Sequence, residues 1–163
     1  GAEKVSVDSM AVRNPSIIAE GAKAFGRQCV VLSTQVKRTG RTPSGYEVYI
    51  DGARVATGMD ANEWMKRGEG LGAGEICVNS IDNDGSLRGY DLELMRLAGE
   101  AVNVPLIASG GAGKPEHLEE LFKTTQAQAA IISSMLYSPR LARNYSVIEL
   151  KDFLSARGVN VRV

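Results

Sequence analysis

The chain of 163 residues carries 19 basic and 19 acidic side chains, so its formal charge is zero and its length suits one domain. That balance excludes a basic nucleic-acid groove or an anionic-membrane surface as the main interface. No apolar run reaches the roughly 20 residues of a membrane span, and the first residues lack signal-peptide layout, so the expected location is the cytoplasm.

Residues 4–8 alternate polar side chains with Val5 and Val7 and predict an opening strand. Asn14-Pro15-Ser16 predicts a helix start, with Asn14 as cap and Pro15 in the first turn. Ile17, Ile18, Ala22 and Phe25 follow at helical spacing until Gly26. Residues 29–37 are apolar on both faces, as helix-covered parallel strands are. Cys29 and Cys77, each in such a run, read as reduced core residues, and no spacing suggests zinc.

Residues 38–58 change pattern: turn residues surround residues 46–50, and Asp51-Gly52 then precedes a second short apolar segment, which signals a hairpin. A hairpin inserted after a parallel strand stands on the same end as the other strand-to-helix loops and can shape a site there. Asp60 caps the next helix, with Trp64, Met65 and Leu71 inward and Gly72 at its end. A strand over residues 75–80, a polar loop over 81–91 and a helix over 91–102 follow. Then come a strand ending at Ser109, a helix over residues 115–124, a strand over 129–135 and a last helix over 147–156.

Five buried strands alternating with five helices predict a parallel α/β fold. It is either a small doubly wound sheet or an incomplete (βα)8 barrel, because a complete barrel takes about 250 residues.

Two strand ends carry the candidate chemistry. Residues 105–114, Pro-Leu-Ile-Ala-Ser-Gly-Gly-Ala-Gly-Lys, deliver Ser109, Gly110 and Gly111 into a loop where backbone N–H groups can meet an anion. Residues 129–135 end in Ser133 and Ser134. In barrels, the loops after the seventh and eighth strands commonly bind phosphate; without a ligand, the same stretches are ordinary glycine-rich turns. In the 81–91 loop, Asp84 and Gly85 offer a carboxylate and a backbone donor, while a calcium-binding helix-loop-helix is not expected because one flanking element is a strand. His117, the single histidine, reads as a solvated surface residue.

Lys4-Val5-Ser6, Val12-Arg13-Asn14-Pro15-Ser16, Gly72-Ala73-Gly74-Glu75-Ile76, Ser80-Ile81-Asp82-Asn83-Asp84-Gly85, Gly89-Tyr90-Asp91, residues 108–114 and Gly158-Val159-Asn160-Val161-Arg162 occur in this order along the chain. By these landmarks the chain closely resembles the C-terminal two thirds of the cyclase subunit of imidazole glycerol phosphate synthase, the HisF family. The resemblance implies an incomplete (βα)8 barrel, strands four to eight with their helices, as a single domain over residues 1–163. It implies a glutaminase partner of the HisH type, whose ammonia crosses the barrel to a substrate with two phosphates, and it calls for no cofactor or metal. By position, Ser109, Gly110, Gly111, Ser133 and Ser134 would hold one phosphate. Asp8 and Ser9, with Asp84 and Gly85, would hold the other or the substrate's middle, and Asp84 would also be a catalytic residue. Lys4 and Glu75 match ammonia-gate residues at the opposite mouth, and Glu3 matches a docking residue for the glutaminase.

Two departures stand out. Asp8 occupies a position where the family usually has asparagine, and Gln35 occupies the position of the family's acid/base aspartate. An amide moves no proton near neutral pH, so help of about 10² to 10⁴ in rate is missing at that position. Tyr46-Glu47-Val48-Tyr49, residues 56–60 and residues 89–94 look more like the glycosyl amidation-associated, WbuZ-type branch, in which the barrel is thought to pass ammonia on for amidation of a surface-polysaccharide sugar. The expected function is therefore an ammonia-channelling subunit, with a true cyclase of histidine biosynthesis and a phosphate-binding scaffold as alternatives. An open half-barrel exposes strand edges, which predicts a homodimer.

Overall fold

The computed structural model describes residues 1–162, in which seven strands form one sheet flanked by seven α-helices. In chain order they are β1 (Val5–Val7), α1 (Ser9–Arg13), α2 (Ser16–Phe25), β2 (Val30–Arg38), β3 (Tyr46–Ile50), β4 (Val55–Asp60) and α3 (Ala61–Leu71). They continue as β5 (Glu75–Ser80), α4 (Leu92–Ala101), β6 (Leu106–Ser109), α5 (Pro115–Thr124), β7 (Ala127–Ala130), α6 (Ser134–Tyr137) and α7 (Val147–Ser155).

Strand order decides between the two architectures left open by the sequence. β1, β2, β5, β6 and β7 lie side by side, each parallel to the next, so the order never reverses. A doubly wound sheet needs a reversal to make its switch point, whereas a barrel wall does not. The fold is α/β, a partial (βα)8 barrel with five wall strands. β1 and β7 do not pair among the described residues, so the wall is open between them.

β2 organises this wall. One of its edges pairs with β5 over Val31 to Val36. Its other edge is shared: β1 takes Val30 to Leu32, and the antiparallel β3 takes Gln35 to Arg38. The β3-β4 hairpin therefore stands at the C-terminal end of the wall, as its place in the sequence implied. Its connection is four residues long, because Ile50 pairs with Val55, and Asp51, Gly52 and Ala53 all take positive φ of 56°, 67° and 65°.

The sheet has two unlike faces. Val30, Leu32, Thr34 and Val36 lie under the helices at 0 to 2% exposure. Ser33, Gln35 and Lys37 alternate with them on the concave face and are half-buried. One continuous core fills the helix side, from Ala11 and Ile18 through Leu32, Ile76 and Leu106 to Leu150 and Leu154. The approach of α3 depends on Gly68, where a Cβ would lie 2.2 Å from Leu32 Cδ2. As expected, Asp60 caps α3, accepting the N–H groups of Asn62 and Glu63.

Four local expectations are corrected. Asn14 does not cap α2; its side-chain oxygen accepts the Ser16 hydroxyl at 2.9 Å, and the short helix α1 fills the segment before it. Cys29 lies half-exposed in a 3₁₀ turn, not inside β2. The strand expected over residues 129–135 is instead β7, which starts at Ala127 and stops at Ala130; Ile131 makes one more bond to the Ala108 carbonyl before the chain turns into α6. The last helix ends at Ser155, one residue early.

Candidate functional site

The concave face has a different chemistry at each end. At the N-terminal end Lys4 and Glu75 form an ion pair with side chains 48% and 21% exposed. The two residues expected at a gate are thus in contact across three strands. Beside them, Ala2, Glu3, Val5, Phe25 and Cys29 surround an open hollow of about 270 Å³, with Phe25 71% exposed. Glu3 lies in that surface.

Toward the C-terminal end, strand register aligns Gln35 with Asn79 and Asn79 with Ser109. The Gln35 amide donates to Asp8 Oδ2 at 2.8 Å. Asp8 and Gln35, from the ends of two neighbouring strands, therefore meet each other. A glutamine can donate to a carboxylate where a second carboxylate would repel it, so the amide at position 35 suits the acid at position 8. Asp8 also reaches the electrostatic surroundings of Cys77. Burial pushes that thiol up to about 11, partly offset by a Ser33 hydrogen bond, with the Asp8 charge adding to the rise. At neutral pH Cys77 is a protonated wall residue.

Ser9 has a structural contact of its own. Its hydroxyl accepts the Asp51 N–H at 2.9 Å, and Arg13 pairs with the Asp51 carboxylate, so α1 holds the tip of the hairpin. The lone pair engaged by Asp51 is not open to a substrate, and what Ser9 retains is its hydroxyl proton.

Beyond β6 and β7 the predicted phosphate residues come together. Ser109, Gly110, Gly111, Ser133 and Ser134 line one small cavity of about 50 Å³ with Asp84, Gly85, Ala112, Ile131 and Ile132. Among the described residues, the N–H groups of Gly110 and Gly111 donate to no protein acceptor. Such free donors beside three hydroxyls suit a phosphoryl group. Asp84, exposed at the rim, is the one carboxylate in the lining.

The cavity keeps its shape because two loops interlock. A Cβ at Gly111 would lie 2.0 Å from the Gly89 carbonyl oxygen, and one at Gly113 would lie 2.2 Å from that of Leu87. The Gly89 N–H donates to the Gly111 carbonyl at 2.8 Å, and Asn83 donates to the Gly89 carbonyl at the same distance. His117 completes this joint and corrects its expected surface role: its Nδ1 accepts the Gly113 N–H at 3.1 Å, and Gly89 packs against the ring. Burial, then Lys114, lowers its pKa below the usual histidine value. The charged helix start around His117 hid this role in the sequence.

On the other side of the 81–91 loop, Tyr46 donates to Asp91 while Arg38 pairs with Glu93 at 2.8 Å and lies over the Tyr46 ring. This cluster ties the hairpin to the loop that carries Asp84. Burial and the Asp91 charge both raise the Tyr46 pKa, so the phenol remains a donor.

The open parallel wall, with a small cavity at the C-terminal ends of its last strands, defines a partial (βα)8 barrel. The family model described as histidine biosynthesis protein matches residues 1–142. The chain is 52% identical over 165 aligned positions to the imidazole glycerol phosphate synthase subunit HisF of Desulfatibacillum aliphaticivorans, covering 99% of this chain and 62% of that protein. It is equally similar to the proteins of the same name from Solidesulfovibrio magneticus and Syntrophobacter fumaroxidans, with the same coverage. The chain belongs to the HisF family. It spans 62% of the length of these relatives.

Proposed function

We propose that this chain supplies the ammonia-entry wall and one phosphate cradle of an imidazole glycerol phosphate synthase cyclase. In this reading residues 1–163 act as one unit, a HisH-type glutaminase docks near Glu3 and delivers ammonia past Lys4 and Glu75, and the Ser109 to Ser134 cradle anchors the substrate. The observation that carries it is the convergence of Ser109, Gly110, Gly111, Ser133 and Ser134 in one cavity. The names of the relatives, at 52% identity over 99% of the chain, support the cyclase over other ammonia-using activities. Asp8 is the carboxylate available for proton transfer on the concave wall. Gln35 orients it and leaves its second oxygen for substrate.

A second reading rests on Gln35. With an amide in the acid/base position, the barrel passes ammonia to another protein that amidates a sugar. Ammonia-dependent turnover of the two-phosphate substrate by the longest form of the protein separates the two. Turnover that Asp8→Asn removes supports the cyclase; no turnover, with a glutaminase still stimulated, supports the conduit.

We also propose a homodimer, supported by an apolar groove on the surface. A groove of about 640 Å³ runs along β7 between α5, α7 and residues 158–162, lined by Phe122, Ala129, Ile132, Leu150 and Val159 among others. Self-association would cover this groove and the free β7 edge. Sedimentation that finds a stable monomer at micromolar concentration overturns it.

A further inference from the structure

The cradle lacks a cation in its lining, and the nearest one comes from a segment that the site residues do not include. Between α6 and α7 the chain loops out and returns. The loop is tied at its base by Ser138 N–H to the Ser134 carbonyl at 2.8 Å and by Tyr145 N–H to the Met135 carbonyl at 2.9 Å. Its two arginines are held differently. Arg143 pairs with Glu149 at 2.7 Å and lies over the Tyr145 ring at 4.6 Å. Arg140, exposed, makes no ion pair among the described residues; its guanidinium donates to the carbonyl of Gly85, which lines the cradle.

A guanidinium parked on a neutral carbonyl keeps its charge uncompensated, and it can exchange that single bond for a charge-assisted pair with a phosphate oxygen. We propose that Arg140 is a phosphate-binding residue: it closes the cradle from the α6-α7 loop, leaving the Gly85 carbonyl for the bound phosphoryl group and offsetting the charge of Asp84. Its backbone is set for this by the Arg140 N–H, which donates to the buried Ser138 hydroxyl at 3.2 Å. The inference rests on the cradle being a phosphate site, and it assigns the site's missing positive charge. Selectivity follows as well. Backbone donors and hydroxyls alone accept neutral and anionic ligands alike, whereas an added arginine favours the doubly charged phosphate monoester.

The test is calorimetric titration of the protein with inorganic phosphate at low and moderate salt. Arg140→Ala is expected to weaken binding about 10-fold and to flatten its salt dependence. Arg140→Lys should recover part of the loss, and neither change should move the unfolding midpoint, since the side chain is exposed. Phosphate binding by Arg140→Ala equal to that of the unaltered protein overturns the assignment and leaves the cradle standing. Ser134→Asp, which puts a carboxylate into the cradle, reports on the cradle itself. If the unaltered protein and Ser134→Asp both fail to bind phosphate at millimolar concentration, the cradle and the role of Arg140 fall together.

Discussion

The two faces of β2 divide the work of the molecule one residue at a time. Leu32, Thr34 and Val36 sit under helices and are nearly inaccessible, whereas Ser33, Gln35 and Lys37, between and beside them, remain half-open on the concave side. Packing constrains one set and chemistry the other, because successive side chains of a strand point to opposite sides. Stability and activity should therefore separate cleanly along this strand.

The largest expected effect lies on the concave side. On the cyclase reading proposed above, Asp8→Asn should lower turnover by about 10² or more, equivalent to roughly 3 kcal/mol of barrier, with unfolding by denaturant almost unchanged. A variant that keeps full turnover would remove Asp8 from the reaction. On the packed side, Leu32→Ala should cost about 3 kcal/mol of stability, against less than about 1 kcal/mol for Gln35→Ala. Comparable losses for both would mean that the concave face is also structural core. Gly111→Ala should cost about 2 kcal/mol and abolish phosphate binding, since its Cβ has no room beside the Gly89 carbonyl.

Acidification sharpens the same division. The His117 pKa is lowered in the folded protein, so its contribution is complete above the unfolded value of about 6.5 and is lost as pH falls through the lower folded value. Hydrogen exchange of the 81–91 and 110–114 loops should rise over that window, and His117→Gln should suppress the change. For Asp60, burial raises the pKa but is outweighed by hydrogen bonds from Ser44, the Glu63 N–H and Thr42, so the net shift is downward from 3.8. That stabilisation is present above 3.8 and disappears below it. Asp60→Ala should cost about 1 kcal/mol near neutral pH and reduce the acid dependence of unfolding. The smallest effect is expected at the mouth: Lys4→Ala should change stability by less than about 1 kcal/mol, because the Lys4 side chain is half-exposed and its charge is screened by water. It should still alter glutaminase-coupled turnover if ammonia enters there.

The parallel strands were legible because their short apolar runs end at glycine or polar breaks, although the concave side of β2, with Ser33, Gln35 and Lys37 half-buried, is less covered than a run apolar on both faces implied. The hairpin was legible from Asp51-Gly52. Helix α1 was not, since five residues show less than two turns of periodicity. The cradle could be found from Ser109, Gly110 and Gly111 followed by Ser133 and Ser134, as all five lie at or shortly after strand ends. Asp8 and Gln35, 27 residues apart, belong together only once β1 and β2 are placed in register. The roles of His117 and Arg140 were hidden because each reads as an ordinary charged or polar surface residue. Their partners are backbone groups on other loops, which a side-chain pattern does not reveal.

The glycine joint between the 81–91 and 110–114 loops also bears on how such a barrel can be re-engineered. Gly111 and Gly113 fit against the carbonyls of Gly89 and Leu87 with no space for even a methyl group. A graft carrying only one of these loops into another barrel would bring a surface without its counterpart. The two segments form a single transferable cassette, and mutational libraries that randomise one should hold the other fixed.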